Sequence, residues 1–235
     1  YRKINGFFDR RIMKRGEYDI IHPTDYNTIY PRYNDKPVVL TVHDLIHKRL
    51  PGWFSARAID DIDNCIMHAD ALIAISNATK NDMVEYYGID ESRITVIYHG
   101  FTPVSPAGKA AAPVDGRYVL FVGKRGGYKN FDTLLKAFAI VAERNRDIRL
   151  VCTGRPFTTD ERRAISAAGL SSRVEQHLFS TAQLGPLYAG AECFVFPSKL
   201  EGFGMPILEA FAAGTPVALS DASCLPEIAG DAALY

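Results

Sequence analysis

The sequence has no charge of one sign to spare: 27 basic residues stand against 27 acidic ones over 235 positions. With no net field, nothing recruits a nucleic acid or a membrane surface by charge alone. Cysteine is scarce. Cys65, Cys152, Cys193 and Cys224 lie far apart with no CxxC spacing. Three of them sit in or beside apolar runs, which reads as buried thiols rather than a disulfide framework and suits a reducing cytoplasm. No apolar run approaches the roughly 20 residues of a membrane span, no tandem repeat is visible, and the start of the chain does not resemble a signal peptide. The expectation is a cytoplasmic globular protein with no nucleic-acid partner.

What is present is an alternation. Short apolar runs occur at 38–42, 71–75, 94–97, 118–122, 148–152, 193–196 and 217–219, separated by helical patterns. Continuous apolarity predicts strands buried on both faces, as in a parallel sheet covered by helices. Ile59, Ile62, Ile66 and Ala69 share one helical face, as do Phe131, Leu134, Leu135 and Phe138. The pattern is α/β and doubly wound. Residues 101–117, "FTPVSPAGKAAAPVDGR", have the proline, glycine and alanine content of a linker. The expected organisation is an N-terminal domain over 1–105, a linker over 106–117 and a C-terminal domain over 118–235.

Three strand-to-helix segments carry candidate chemistry. In "EGFGMPILEAFAAG" (201–214) a glycine-containing turn leads into a helix, with Pro206 suited to the first helical position. Backbone N–H groups at such a helix start, with the helix dipole, favour an anion. Glu201 and Glu209 bracket the turn, and carboxylates suit sugar and ribose hydroxyls; the alternative is a solvated loop acid and a helix-dipole partner. In "VGKRGGYKNFDTLLKAF" (122–138) Lys124, Arg125 and Lys129 crowd a Gly-rich loop, and Asn130 is the expected N-cap. Cations there suit a diphosphate at the carboxyl edge of a parallel sheet. The glycine spacing matches neither a Walker A loop nor GxGxxG, which argues against an ATPase and a dinucleotide enzyme. In "TVHDLIHKRLPGWF" (41–54) His43 and Asp44 fall just after a strand. His43 and His47 form an HxxxH pair, but no third ligand stands at a convincing spacing, so no metal site is expected. Trp53 and Phe54 are read either as acceptor-lining or as core.

These motifs, "SKLEGFGMPILEAFAAGTPV", "VGKRGGYKNF" and "TVHDLIH", resemble in order and spacing those of glycosyltransferase family 4. "ADALIAISNATKNDMVEYYGIDESRITVIYHG" (69–100) and "LPEIAGDAALY" (225–235) are similar to further parts of that family. The resemblance covers about 38–235. It implies the GT-B architecture, two Rossmann-like domains facing across a cleft, here with an incomplete N-terminal domain and a partial chain. It implies a retaining, metal-independent transfer of a sugar from a GDP-, UDP- or dTDP-linked donor, with no other cofactor, to a glycan or lipid-linked acceptor. Glu201 would bind hydroxyls of the transferred sugar, helped by backbone N–H groups near Phe203, Gly204 and Met205. Glu209 would bind the ribose. Lys129, with Lys124 or Arg125, would neutralise the leaving diphosphate, and His43 would approach the donor sugar. The variants look most like enzymes of bacterial surface polysaccharide synthesis using mannose or rhamnose donors.

Two other classes fit parts of the pattern. One is a non-catalytic nucleotide-sugar-binding module, or a subunit that needs a partner. The other is a GT-B epimerase, for which no convincing set of extra acid and base carboxylates is found. Residues 4–19 join aromatics to Arg10, Arg11, Lys14 and Arg15. That helix is suited either to resting peripherally on anionic lipid at the inner membrane face or to a plain solvated surface.

Overall fold

The structure, a computed structural model, describes residues 2–26, 28–33, 35–103 and 112–235, with the backbone alone at 2–8, 29 and 33. The chain divides into two compact units, 1–99 and 100–235. Residues 104–111, within the linker-like stretch 101–117, lie outside the described residues.

In the first unit the apolar runs become three short parallel strands. The elements are α1 (Arg2–Arg15), α2 (Ile29–Tyr33), β1 (Val39–Val42), α3 (Ile46–Arg49), α4 (Ala56–His68), β2 (Ala71–Ala74), α5 (Asn77–Tyr87) and β3 (Ile94–Val96). The sheet order is β1-β2-β3, with Leu40 beside Leu72 and Leu72 beside Ile94. A single parallel bridge adds Ile21 beside Val38. Only alternate positions are fully buried: Leu40, Val42, Leu72, Ala74 and Ile94 form the core, with Cys65, Ile66 and Ala69 of the α4 region against them. Ile62 packs there too, as its helical spacing predicts. The expectation of strands buried on both faces therefore fails here, because Ala71 and Thr95 on the opposite face are exposed. Ser55 and Ser76 cap α4 and α5 by accepting from the N–H groups of Ala58 and Thr79.

The second unit meets that expectation in its centre. Its elements are β4 (Tyr118–Phe121), α6 (Phe131–Arg144), β5 (Arg149–Thr153), α7 (Thr159–Ala167), β6 (Val174–His177), α8 (Thr181–Ala189), β7 (Cys193–Phe196), α9 (Met205–Ala212), β8 (Val217–Leu219) and α10 (Leu225–Ala229). All five strands are parallel in the order β6-β5-β4-β7-β8, and β4 is buried at every position. Phe131, Leu134, Leu135 and Phe138 bury the predicted face of α6 against β4 and β5. β6, "VEQH", escapes a search for apolar runs because it is an edge strand pairing with β5 alone. Among the described residues, no helix is long and apolar enough to cross a membrane.

Candidate functional site

In the second unit the chain starts at the central strand β4, winds outward to β5 and β6, then returns to β7 on the other side. The loops leaving β4 and β7 at their carboxyl ends therefore diverge, and such a switch point is where open parallel sheets bind ligands. The two loops here, 122–130 and 197–204, open the segments singled out in the sequence, 122–138 and 201–214.

They are tied to each other. The Lys199 N–H donates to the Tyr128 carbonyl at 2.8 Å. The Asn130 side-chain amide donates to the Pro197 carbonyl at 3.1 Å. Asn130 does occupy the N-cap position of α6, but in the left-handed region at φ 59° and without capping by its side chain. Its carboxamide oxygen instead accepts from the Thr133 hydroxyl. The side chain thus joins the loops rather than the helix end.

Between them the structure brings together Lys129 and Glu201, 72 residues apart, with Nζ 2.5 Å from Oε1. Both side chains are largely shielded, 17% and 12% exposed. The ammonium also lies 5.2 Å from the ring centre of Tyr128 and 5.3 Å from that of Phe196, within reach of cation–π attraction. The backbone of Glu201 is fixed from the segment after β8. Its carbonyl accepts from the Ser223 hydroxyl at 2.8 Å and lies 3.2 Å from the Cys224 sulfur. Ser223 adopts φ 56°, the left-handed region, to reach it.

Gly204 is the N-cap of α9 at φ 99°, and Met205 and Pro206 are its first two residues. The left-handed backbone favours glycine there, and a Cβ would also crowd Ile207 Cδ1 at 3.0 Å. The Phe203 side chain is buried, leaving its backbone as the part able to meet a ligand. Glu209, one turn into α9, accepts from the Tyr188 hydroxyl at 2.8 Å. Burial, then the Glu209 carboxylate, pushes the Tyr188 phenol far above its ordinary range, so it remains a donor. Neither Ser223 nor Tyr188 carried a signal in the sequence.

Lys124 is exposed, whereas Arg125 is 3% exposed. The Arg125 guanidinium donates to the carbonyls of Thr153 (3.0 Å), Pro156 (3.2 Å) and Arg155, and to Glu161 Oε1 at 3.3 Å. Phe157 covers it at 4.7 Å. Of the two alternatives for the diphosphate, Lys124 or Arg125, the donors of Arg125 are taken in this structure by the segment between β5 and α7, which it fastens to the Gly-rich loop. Burial raises the Glu161 carboxyl pKa. The Thr158 N–H and the Arg125 and Arg155 charges outweigh this and hold it below the ordinary value.

In the first unit His43 stacks on His99 with ring centres 5.5 Å apart. His47 is 1% exposed and turns inward to the Tyr87 hydroxyl at 3.1 Å and Asp63 at 3.4 Å. The HxxxH pair is thus divided between two environments. Among the described residues, no group of three or more His, Cys, Asp or Glu is placed to hold a metal. Trp53 and Phe54 are both exposed rather than core, at 58% and 37%. Arg10, Arg11, Lys14 and Arg15 are exposed on α1.

Comparison with known proteins covers nearly the whole chain. Residues 107–233 match the family model described as glycosyl transferases group 1, and residues 3–104 match glycosyltransferase family 4. The O-antigen chain mannosyltransferase B of Escherichia coli is 30% identical over 265 residues, covering 99% of this chain and 69% of that protein. The D-inositol 3-phosphate glycosyltransferase of Xylanimonas cellulosilytica is 30% identical over 235 residues, covering 86% and 55%. Among solved structures, Anabaena HepE, in complex with UDP and glucose, superposes with a TM-score of 0.76 at 21% identity, covering 94% of this chain and 64% of that one. The fold is therefore that of the GT-B proteins. The chain spans only part of the curated relatives it matches, from 37% to 69% of their length among eight of them.

Proposed function

The chain belongs to the group 1 glycosyl transferases, and from that premise we propose that it moves a sugar from a nucleoside-diphosphate donor to a glycan or lipid-linked acceptor. The observation that carries the reading is the convergence of Lys129 and Glu201 at the switch point of the second sheet. One supplies a fixed cation for a diphosphate and the other an acceptor for sugar hydroxyls.

Departure of a nucleoside diphosphate builds negative charge, and the main catalytic demand is to stabilise it. Lys129, the exposed Lys124 and the first turn of α9 at Met205 supply positive potential. We assign this task to these groups without a metal. Glu209, oriented by Tyr188, is assigned to the ribose hydroxyls, and backbone N–H groups around Phe203, Gly204 and Met205 to the sugar side. Glu201 positions the donor rather than attacking it, in keeping with a retaining transfer in which the acceptor arrives on the leaving-group face. The naming of the Escherichia coli relative for mannosyl transfer in O-antigen chains supports a role in bacterial surface polysaccharide.

Calorimetry with UDP, GDP and dTDP, followed by turnover with their sugar conjugates, tests this reading. One diphosphate is expected to bind and its conjugate to be consumed. Binding with neither transfer nor donor hydrolysis would leave this chain a nucleotide-sugar-binding module. No binding would remove the donor reading altogether. His43 is assigned a part in the transfer by the resemblance. His43→Ala is expected to lower kcat by about ten-fold or more, with the affinity for the nucleoside diphosphate unchanged. Loss of that affinity would overturn its assignment.

A further inference from the structure

Lys129 and Glu201 are assigned to different parts of one ligand, yet in this structure they are bonded to each other. A phosphate that draws the ammonium away from Oε1 breaks a short bond between two shielded charges. The two halves of a donor differ in what they leave behind. A bare nucleoside diphosphate can draw the ammonium to its phosphates, but Glu201 then remains a mostly buried carboxylate with no cation, close to new negative charge. That is a costly arrangement. A nucleotide sugar brings hydroxyl donors as well. These replace the lost ammonium at Oε1, and both charges stay paired after the exchange. Two features make the exchange local. The Glu201 carbonyl is anchored by Ser223, so the backbone that presents the carboxylate is held. The Lys129 ammonium has the Tyr128 and Phe196 faces on which to pivot.

We propose that Glu201 makes the cationic grip of Lys129 conditional on the sugar, so that the site discriminates a nucleotide sugar from a bare nucleoside diphosphate through this one ion pair. The proposal rests on the donor-binding reading above, and it makes Glu201 a specificity-determining residue whose effect on the two ligands differs in sign. Removing its charge frees Lys129 for phosphate while removing an acceptor for the sugar. A carboxylate that only bound sugar would leave the bare diphosphate unaffected.

Calorimetry on the full chain decides it, using UDP with UDP-glucose, GDP with GDP-mannose and dTDP with dTDP-rhamnose on wild type, Glu201→Gln, Lys129→Met and the double variant. For the nucleotide that binds, Glu201→Gln is expected to tighten the bare diphosphate by roughly three- to ten-fold, the order of one released charge-assisted hydrogen bond. The advantage of the sugar conjugate over the bare diphosphate falls at the same time. In the Lys129→Met background the gain from Glu201→Gln disappears, because the cation it would release is gone. Glu201→Ala serves as a second removal of the charge should the glutamine variant fold poorly. On the unsubstituted chain, the 15N signal of the Lys129 ammonium should move on saturation with the conjugate and move less with the bare diphosphate. Equal movement with both, or an unchanged or weakened diphosphate affinity in Glu201→Gln, overturns the exchange while leaving donor binding in place. Binding of none of the six ligands by any variant overturns both.

Discussion

Arg125 and Lys129 leave the same Gly-rich loop and meet opposite fates on its two sides. Toward β5, Arg125 spends its donors on three carbonyls and Glu161 beneath an aromatic ring, with a side chain 0% exposed. Toward β7, Lys129 holds one carboxylate and keeps 17% exposure. Both are ion pairs, but the first is saturated by its own fold, whereas the second has a partner that a ligand can replace. A cation near a switch point is thus no evidence of a ligand until its donors have been counted. The fork of arginine suits the crowded side and the single ammonium of lysine the exchangeable one.

The sharpest way to break the comparison is Arg125→Ala. It strands three carbonyls and leaves Glu161 only Arg155 and the Thr158 N–H, and is expected to cost about 2–4 kcal/mol in urea unfolding. A loss below about 1 kcal/mol would show that the cage is not structural. Arg125→Lys should recover little, since one ammonium cannot span those acceptors. Lys129→Met is the counterpart. It should weaken binding of the nucleotide sugar by about ten-fold, roughly 1.4 kcal/mol, and cost less in urea unfolding than Arg125→Ala, because a single carboxylate is left without its cation. A large stability loss without an affinity loss would place Lys129 with Arg125.

The smallest effects are in pH. The Glu161 pKa lies below its ordinary 4.5, so its stabilisation is present above that value and lost as pH falls through the folded one. Glu161→Gln should flatten the acid limb of melting temperature against pH below about 4.5. His47 in the first unit acts higher. Burial lowers its pKa from 6.5 and outweighs the nearby Asp63. The folded state therefore favours neutral imidazole, and stability falls as pH drops below about 6.5. Melting of wild type and His47→Gln between pH 7.5 and 5.5 checks this, with a flat wild-type profile as the contrary result.

The layered α/β plan was legible because buried central strands leave unbroken apolar runs, such as "YVLF" in β4. β6 was not, since an edge strand carrying Glu175 and Gln176 needs no such run. The weight placed on Lys129 and Glu201 came from resemblance and switch-point reasoning; their contact bridges 72 residues. The fate of Arg125 was hidden for another reason. Its partners are mostly backbone carbonyls, which every residue type supplies, so no pattern of side chains announces them. Tyr188 and Ser223 meet Glu209 and Glu201 from 21 and 22 residues away and leave no local spacing to read.

The anchoring of the Glu201 carbonyl by Ser223 has a consequence for protein engineering. The loop that presents the carboxylate is not a self-contained cassette, because its shape is enforced by a turn that the chain reaches only after completing another helix and strand. Transplanting 197–209 alone into a related scaffold would carry the functional group without its brace. A graft that also carries 219–225, with the left-handed Ser223 intact, brings that brace along and leaves only the ties from Tyr128 and Asn130 for the recipient to supply.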